Sequence, residues 1–245
     1  MNTISLFDIV IPVGPSDINI IKDQIEYTKK NIIGYRNIYL VSYDKSLQID
    51  GCETISEEIY PFSIKTVEEI HGKSGRNGWY LQQLLKLYAG KVIPNILETY
   101  LVIDSDTFFL KPATFTENGK CLYCFGTEYN EPYFTHMKKL HSSFKKMDTH
   151  KSGICHHMIF QTKYINEIIE MVEKEHNGTS FYQTFLKCVT PSIDSGASEY
   201  EIYFNYMIQY HPNEIKIRFL SWNNVYTISE HRGHVYESAH CWVRK

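Results

Sequence analysis

The 245-residue chain carries 25 Lys and Arg against 28 Asp and Glu, and its net charge of -3 offers no basic surface for nucleic acid. With 43% hydrophobic and 22% charged residues it has the composition of a globular protein, long enough to bury a core without disulfide staples. No stretch approaches the roughly 18 consecutive apolar residues of a membrane span, and MNTISLFDIVIPVG has neither the basic start nor the long apolar run of a secretion signal.

Taken along the chain, LFDIVIPVG reads as a strand ending near Pro12–Gly14. SDINIIKDQIEYTKKNI reads as a helix with Ser16 or Asp17 as its N-cap and Ile20, Ile21 and Ile25 on an apolar stripe. NIYLVSYD is a second strand and ETISE a short third; SIKTVEEI and GWYLQQLLKLYAG are helices, the latter closed by Gly90 as a C-cap. The run YLVI before Asp104 is a further strand, followed by a strand at CLYCFG, a helical stretch over 133–146 and a strand at GICHHMIFQ. Helices are expected over 163–176, 180–188 and 198–210, then strands at IKIRFL and NVYTI and an irregular tail, HVYESAHCWVRK. Alternating strands and helices in the first half argue for an α/β fold with a mainly parallel sheet. Ligands bind such sheets at the carboxyl ends of the strands, which puts Pro12–Pro15, Ser42–Asp44 and Asp104–Asp106 on one rim. The six cysteines, at 52, 121, 124, 155, 188 and 241, are scattered. Cys121 and Cys124 lack a second pair at zinc spacing, and all six read as reduced thiols of a cytoplasmic protein.

The chemistry starts at TYLVIDSDTFFLKP. Asp104 and Asp106 stand one residue apart at the end of an apolar strand, and side chains two apart on a strand share a face. Two carboxylates so close repel one another unless a cation neutralises them, and an oxygen-rich pair suits Mg²⁺ or Mn²⁺ completed by phosphate oxygens and water. An Asp-x-Asp triplet also arises by chance as a solvated strand end, but here hydrophobic residues resume at Phe108 and set it inside structure.

YLVIDSDTFFLKP resembles the DxD strand of GT-A-fold glycosyltransferases, which transfer sugars from nucleotide-sugar donors. RNGWYLQQLLKLYA, SGICHHMIF and SEYEIYFNYM extend the likeness over about residues 6–243, and together they resemble a little-characterised family of glycosyltransferases within that fold. The resemblance implies one GT-A-like domain over 1–245. About 1–110 would bind a UDP-sugar, and about 111–245 would shape the site for a glycan or glycoconjugate acceptor. The product would be a hexosyl or N-acetylhexosaminyl group on an acceptor hydroxyl. It implies Mn²⁺ or Mg²⁺ held by Asp104 and Asp106, the second Asp as the direct ligand and the first reaching the ribose or a metal-bound water. His240, in SAHCW, matches the third ligand found near the C-terminus of many such enzymes. Pro12, Val13, Asp44 and Ser105 fall where the family holds the base, ribose and diphosphate. The segment around Gly153, His156 and His157 would border the transferred sugar or the acceptor.

Other residues carry readings of their own. In RNGWYLQQLLKLYA, Leu81, Leu84, Leu85 and Tyr88 fall on one helix face, which explains the leucines but not Arg76, Trp79, Gln82 or Gln83. Arg76 at the helix entrance is placed to clamp a phosphate or carboxylate, and with Gln83 it is a candidate for the nucleotide-sugar site. His156 and His157, adjacent on a strand, face opposite ways, so one enters the core and one reaches the cleft. Ser198 followed by Glu201 is a capping box. Inverting GT-A enzymes place a catalytic carboxylate at the start of a comparable helix, so the resemblance implies Glu199, in the first helical turn, as the general base, kept ionised by the helix N-terminus. In the tail, Arg244 and Lys245 stand where they would meet the diphosphate on closure. Two rival readings are a degenerate domain that binds without turnover and a DxDxT phosphatase, the latter disfavoured by Phe108 at the place of the needed Thr.

Overall fold

Seven consecutive buried residues, Phe7–Val13, form β1, and a strand buried on both faces belongs at the centre of a covered sheet. The computed structural model describes residues 5–190, 195–240 and 244. After β1 come α1 (Ile21–Asn31), β2 (Ile32–Ile33), β3 (Tyr35–Ser42), β4 (Glu53–Ser56), α2 (Ile64–His71), α3 (Asn77–Val92) and β5 (Thr99–Ile103). The second half holds β6 (Thr107–Phe109), β7 (Ala113–Thr114), β8 (Thr116–Glu117), β9 (Lys120–Cys124), α4 (Glu131–Leu140), β10 (His157–Gln161) and α5 (Thr162–Glu175). It closes with α6 (Phe181–Cys188), α7 (Glu199–Tyr210), β11 (Ile215–Arg218), β12 (Trp222–Asn224) and β13 (Tyr236–Ser238).

The main sheet has five strands in the order β10-β5-β1-β3-β4. β1 runs parallel to both β3 and β5, β3 parallel to β4, and only β10 is antiparallel. The fold is therefore mixed α/β, one domain with a mainly parallel sheet flanked by helices. One hydrophobic cluster runs from Phe7 on β1 to Tyr236 on β13. α3 packs on β1 and β5 and also meets α7, so it lies between the sheet and the second half of the chain. No helix among the described residues is long and apolar enough to cross a membrane. Cys52, Cys121, Cys124, Cys155 and Cys188 are free thiols, and Cys241 lies outside the described residues.

Several elements depart from their sequence reading. α1 starts at Ile21, after a 3₁₀ turn over Pro15–Asp17, because the Asp17 carboxylate is used elsewhere and caps nothing. Gly90 does not end α3, which continues to Val92. A Cβ at Gly90 would lie 2.2 Å from Thr162 Oγ1 and 2.7 Å from the Tyr100 ring, so this glycine makes room for neighbours. α4 stops at Leu140 rather than near 146. β10 begins at His157, not at Gly153, because His156 takes a left-handed φ of 60° and breaks the strand. The strand expected at NVYTI is Trp222–Asn224, and the tail read as irregular contains β13.

Candidate functional site

The carboxyl ends of β1, β3, β4 and β5 lie along one edge of the sheet, where antiparallel β10 begins. Asp104 and Asp106 are on this edge, but not on a strand. β5 stops at Ile103, and the Thr107 N–H donates to the Asp104 carbonyl at 3.0 Å, closing a tight turn over 104–107. The two carboxylates therefore do not share a strand face, and each is aimed by its own partners. The backbone of the turn is anchored where the Asp104 N–H donates to the His156 carbonyl at 2.9 Å.

Asp104 is the more enclosed of the pair in its bonding. Its Oδ1 accepts from the Lys86 ammonium at 2.5 Å and from the Tyr200 hydroxyl at 2.8 Å, and its Oδ2 stands 3.5 Å from His156 Nδ1. Burial pushes this carboxyl upward, but Lys86 and His156 prevail and leave it well below the usual carboxylate range. The same Lys86 ammonium donates to Glu199 Oε1 at 2.7 Å. Glu199 is the first residue of α7, and its N–H donates to Gln83 Oε1 at 3.1 Å. Burial raises the Glu199 carboxyl above its ordinary value against the pull of Lys86, with nearby Asp104 adding to the rise. The anion-favouring helix N-terminus expected from sequence is thus outweighed by desolvation.

Asp106 has a different partner. Its Oδ2 lies 3.0 Å from His240 Nδ1, and its Oδ1 is buried without a hydrogen-bond partner. Strand register explains the pairing. β13 runs antiparallel to β6 with Ser238 opposite Thr107, so the next residue out, Ala239, donates its N–H to the Asp106 carbonyl at 2.9 Å. His240 then follows beside the Asp106 side chain. Burial would lower the His240 pKa, but Asp106 raises it above the usual imidazole value. The His240 and His156 rings are in contact at 4.7 Å, so an imidazole pair lies between the two carboxylates. Among the described residues, no group of three His, Cys, Asp or Glu side chains is drawn together as a metal centre. Ser105, buried between the aspartates, donates to Asp17 Oδ2 at 2.6 Å, and Asp17 also pairs with Arg244.

The other candidates fall into place unevenly. His156 is the histidine at the rim, edge-on to Trp222 and beside His240. His157 enters the core among Phe109, Phe115 and Tyr236. Gly153 makes no opening for a donor: a Cβ there would sit 2.6 Å from the Tyr200 carbonyl, so α7 fills the space. Pro12 and Val13 are buried within β1, leaving only backbone to face a ligand. Asp44, two residues past the end of β3, is committed to a local turn, accepting from the Ser46 N–H at 2.9 Å and the Ser46 hydroxyl at 2.6 Å. Arg76 lies over the Trp79 ring and donates to Ser195 Oγ at 2.6 Å. Gln83 does not face the rim openly but holds the start of α7. Glu201 is only half of a capping box: its N–H donates to Ser198 Oγ, while its carboxylate turns inward to Ser152 and Asn205. Lys245 lies outside the described residues.

Sequence reasoning passed over Lys86 and Tyr200, and read Asp17 only as a helix cap. Lys86 carried a usable signal, a lysine set between Leu85 and Leu87 and three residues after Gln83, where the helix returns to the same face. The model of a family of unknown function (DUF6492) matches residues 35–231, most of the chain. No curated protein matches it.

Proposed function

We propose that this chain, which belongs to the DUF6492 family of unknown function, is a metal-dependent glycosyltransferase with a GT-A-like form of its α/β fold. It would move a hexosyl or N-acetylhexosaminyl group from a UDP-sugar to a hydroxyl of a glycan or glycoconjugate, in the cytoplasm. The observation that carries this reading is the turn Asp104–Asp106 at the carboxyl edge of parallel strands, with His240 brought to Asp106 and Glu199 set beyond Asp104.

The donor set at Asp106 fits a small divalent cation. One carboxylate oxygen is buried without a partner, the other has an imidazole beside it, and Mg²⁺ or Mn²⁺ needs only one or two protein ligands when phosphates and water complete the shell. Asp106 and His240 would hold the ion, and its chemistry there is Lewis-acid neutralisation of the departing diphosphate. Asp104 does not fit as a direct ligand, since Lys86, Tyr200 and His156 already occupy its oxygens. Its work is to fix the turn that presents Asp106. Ser105 and Asp17 brace that turn from the side of β1. Glu199 is the base that accepts the acceptor proton. Its raised pKa brings it nearer to neutral pH, where a general base is most effective.

The binding-only reading is favoured by one feature, the engagement of Glu199 by Lys86. A screen of nucleotide sugars with Mn²⁺, read as thermal stabilisation and as nucleoside diphosphate release, separates the two. Stabilisation with release supports the transferase. Stabilisation without release supports the binding module, and neither effect with any donor removes both.

A further inference from the structure

Lys86 lies in the middle of α3, flanked by fully buried leucines, and is itself almost wholly buried. An ammonium in such surroundings must be paired and hydrogen-bonded to stay charged. Here its partners come from two distant parts of the chain: Asp104 in the turn after β5, at 2.5 Å, and Glu199 at the head of α7, at 2.7 Å. Tyr200, next to Glu199, donates to the same Asp104 oxygen and places its ring 4.5 Å from the ammonium. Gln83, one turn before Lys86, receives the Glu199 N–H. The head of α7 is thus tied to the acidic turn through one cation and one phenol, and to α3 through one amide. Buried ion pairs are seldom the best way to gain stability, because an apolar set of equal volume does as well. Their distinctive effect is to fix where charged groups sit.

We propose that Lys86 is a positioning residue of the transferase site: it sets the Glu199 carboxylate at a fixed place relative to the Asp104–Asp106 turn. It takes Oε1 and leaves Oε2 for the acceptor hydroxyl. Glu199 Oε2 has no hydrogen-bond partner among the described residues and is not one of the fully buried orphan atoms, which agrees with this division. The inference rests on the transferase reading above and adds a residue to it. Lys86 touches neither donor nor acceptor in this scheme and acts only through the two carboxylates.

The test compares wild type, K86M, E199Q and the K86M/E199Q double variant for UDP release from the best donor with Mn²⁺, and for melting temperature. K86M is expected to lower kcat on the order of 100-fold, the loss that follows from about 1 Å of misplacement, with donor KM changed by less than about threefold. The double variant should be no slower than E199Q alone, because Lys86 works through Glu199. In melting temperature, K86M should lose more than K86M/E199Q, because K86M leaves two carboxylates, Asp104 and Glu199, without their cation and the double variant leaves only Asp104. Near-normal kcat in K86M, or losses that multiply in the double variant, would overturn the proposal. If wild type turns over no nucleotide sugar, the transferase reading fails, and the melting temperatures still decide on the clamp. Coupling between the two substitutions supports it and strict additivity overturns it.

Discussion

At the scale of single residues, the acidic pair divides its labour. Asp106 keeps an unpartnered oxygen at the rim, whereas Asp104 is saturated by partners from three elements. Asp106→Ala is therefore expected to abolish metal-dependent activity, by at least about 100-fold, with the melting temperature nearly unchanged. Asp104→Ala removes a buried counter-charge from Lys86, and chemical denaturation should show a loss on the order of 3 kcal/mol. Two histidines away from the rim set the acid limit of the fold. Burial lowers His136 from 6.5 to about 4 and His157 from 6.5 to about 3. Each stays neutral in the fold while the unfolded chain takes up a proton near 6.5. Stability is full above that pH, falls as pH drops below it, and levels off only near the folded values. Between pH 7 and pH 5 each histidine should cost roughly 2 kcal/mol, measurable in denaturant titrations at the two pH values. His157→Leu should remove its share of that dependence. The sequence shows that adjacent histidines point apart but not which faces the core. The answer came from His156 entering a left-handed conformation, which pattern alone does not encode.

At the scale of elements, two joints hold the site together. The first is the contact of β13 with β6, whose register delivers His240 to Asp106. Ending the chain before residue 234 should unpair both β6 and β12 and remove His240, the proposed second ligand of the cation, seen as a lower melting temperature and loss of Mn²⁺ affinity. The second joint is the close approach of α7 to the segment before β10. Gly153→Ala would drive a methyl to 2.6 Å from the Tyr200 carbonyl and 2.7 Å from Phe204 Cβ. Overpacking of this kind costs about 1–3 kcal/mol, and near-native stability of that variant in denaturant would contradict the packing described. Buried β1, β3 and β5, and the helices α2, α3, α5, α6 and α7, were legible because long apolar periodicity marks them directly. β13 was not, since Tyr236–Ser238 is three residues long and owes its strand form to partners distant in sequence. Gly90 misled as a stop signal because its small size serves Thr162 and Tyr100 across the helix, a tertiary need invisible in local pattern.

At the scale of the whole molecule, the parallel sheet gathers its strand ends on one edge, and the second half of the chain meets that edge with α7, the segment before β10, and β13 with the residues that follow it. That arrangement was foreseen in its first half from alternating strands and helices. The closeness of the acidic turn and His240 was foreseen, while the internal cation that engages Asp104 was not. A lysine amid leucines signals a buried cation but not its partners, and only the fold shows carboxylates from two other parts of the chain meeting it. The most direct measurement is titration calorimetry of Mn²⁺ into the chain in the presence of UDP, run on wild type and on Asp106→Ala. The expected result is one Mn²⁺ bound per wild-type chain only when UDP is present, and no binding to the Asp106→Ala chain. Equal Mn²⁺ and UDP binding by both chains, or binding by neither, would contradict a cation-and-diphosphate site at this turn.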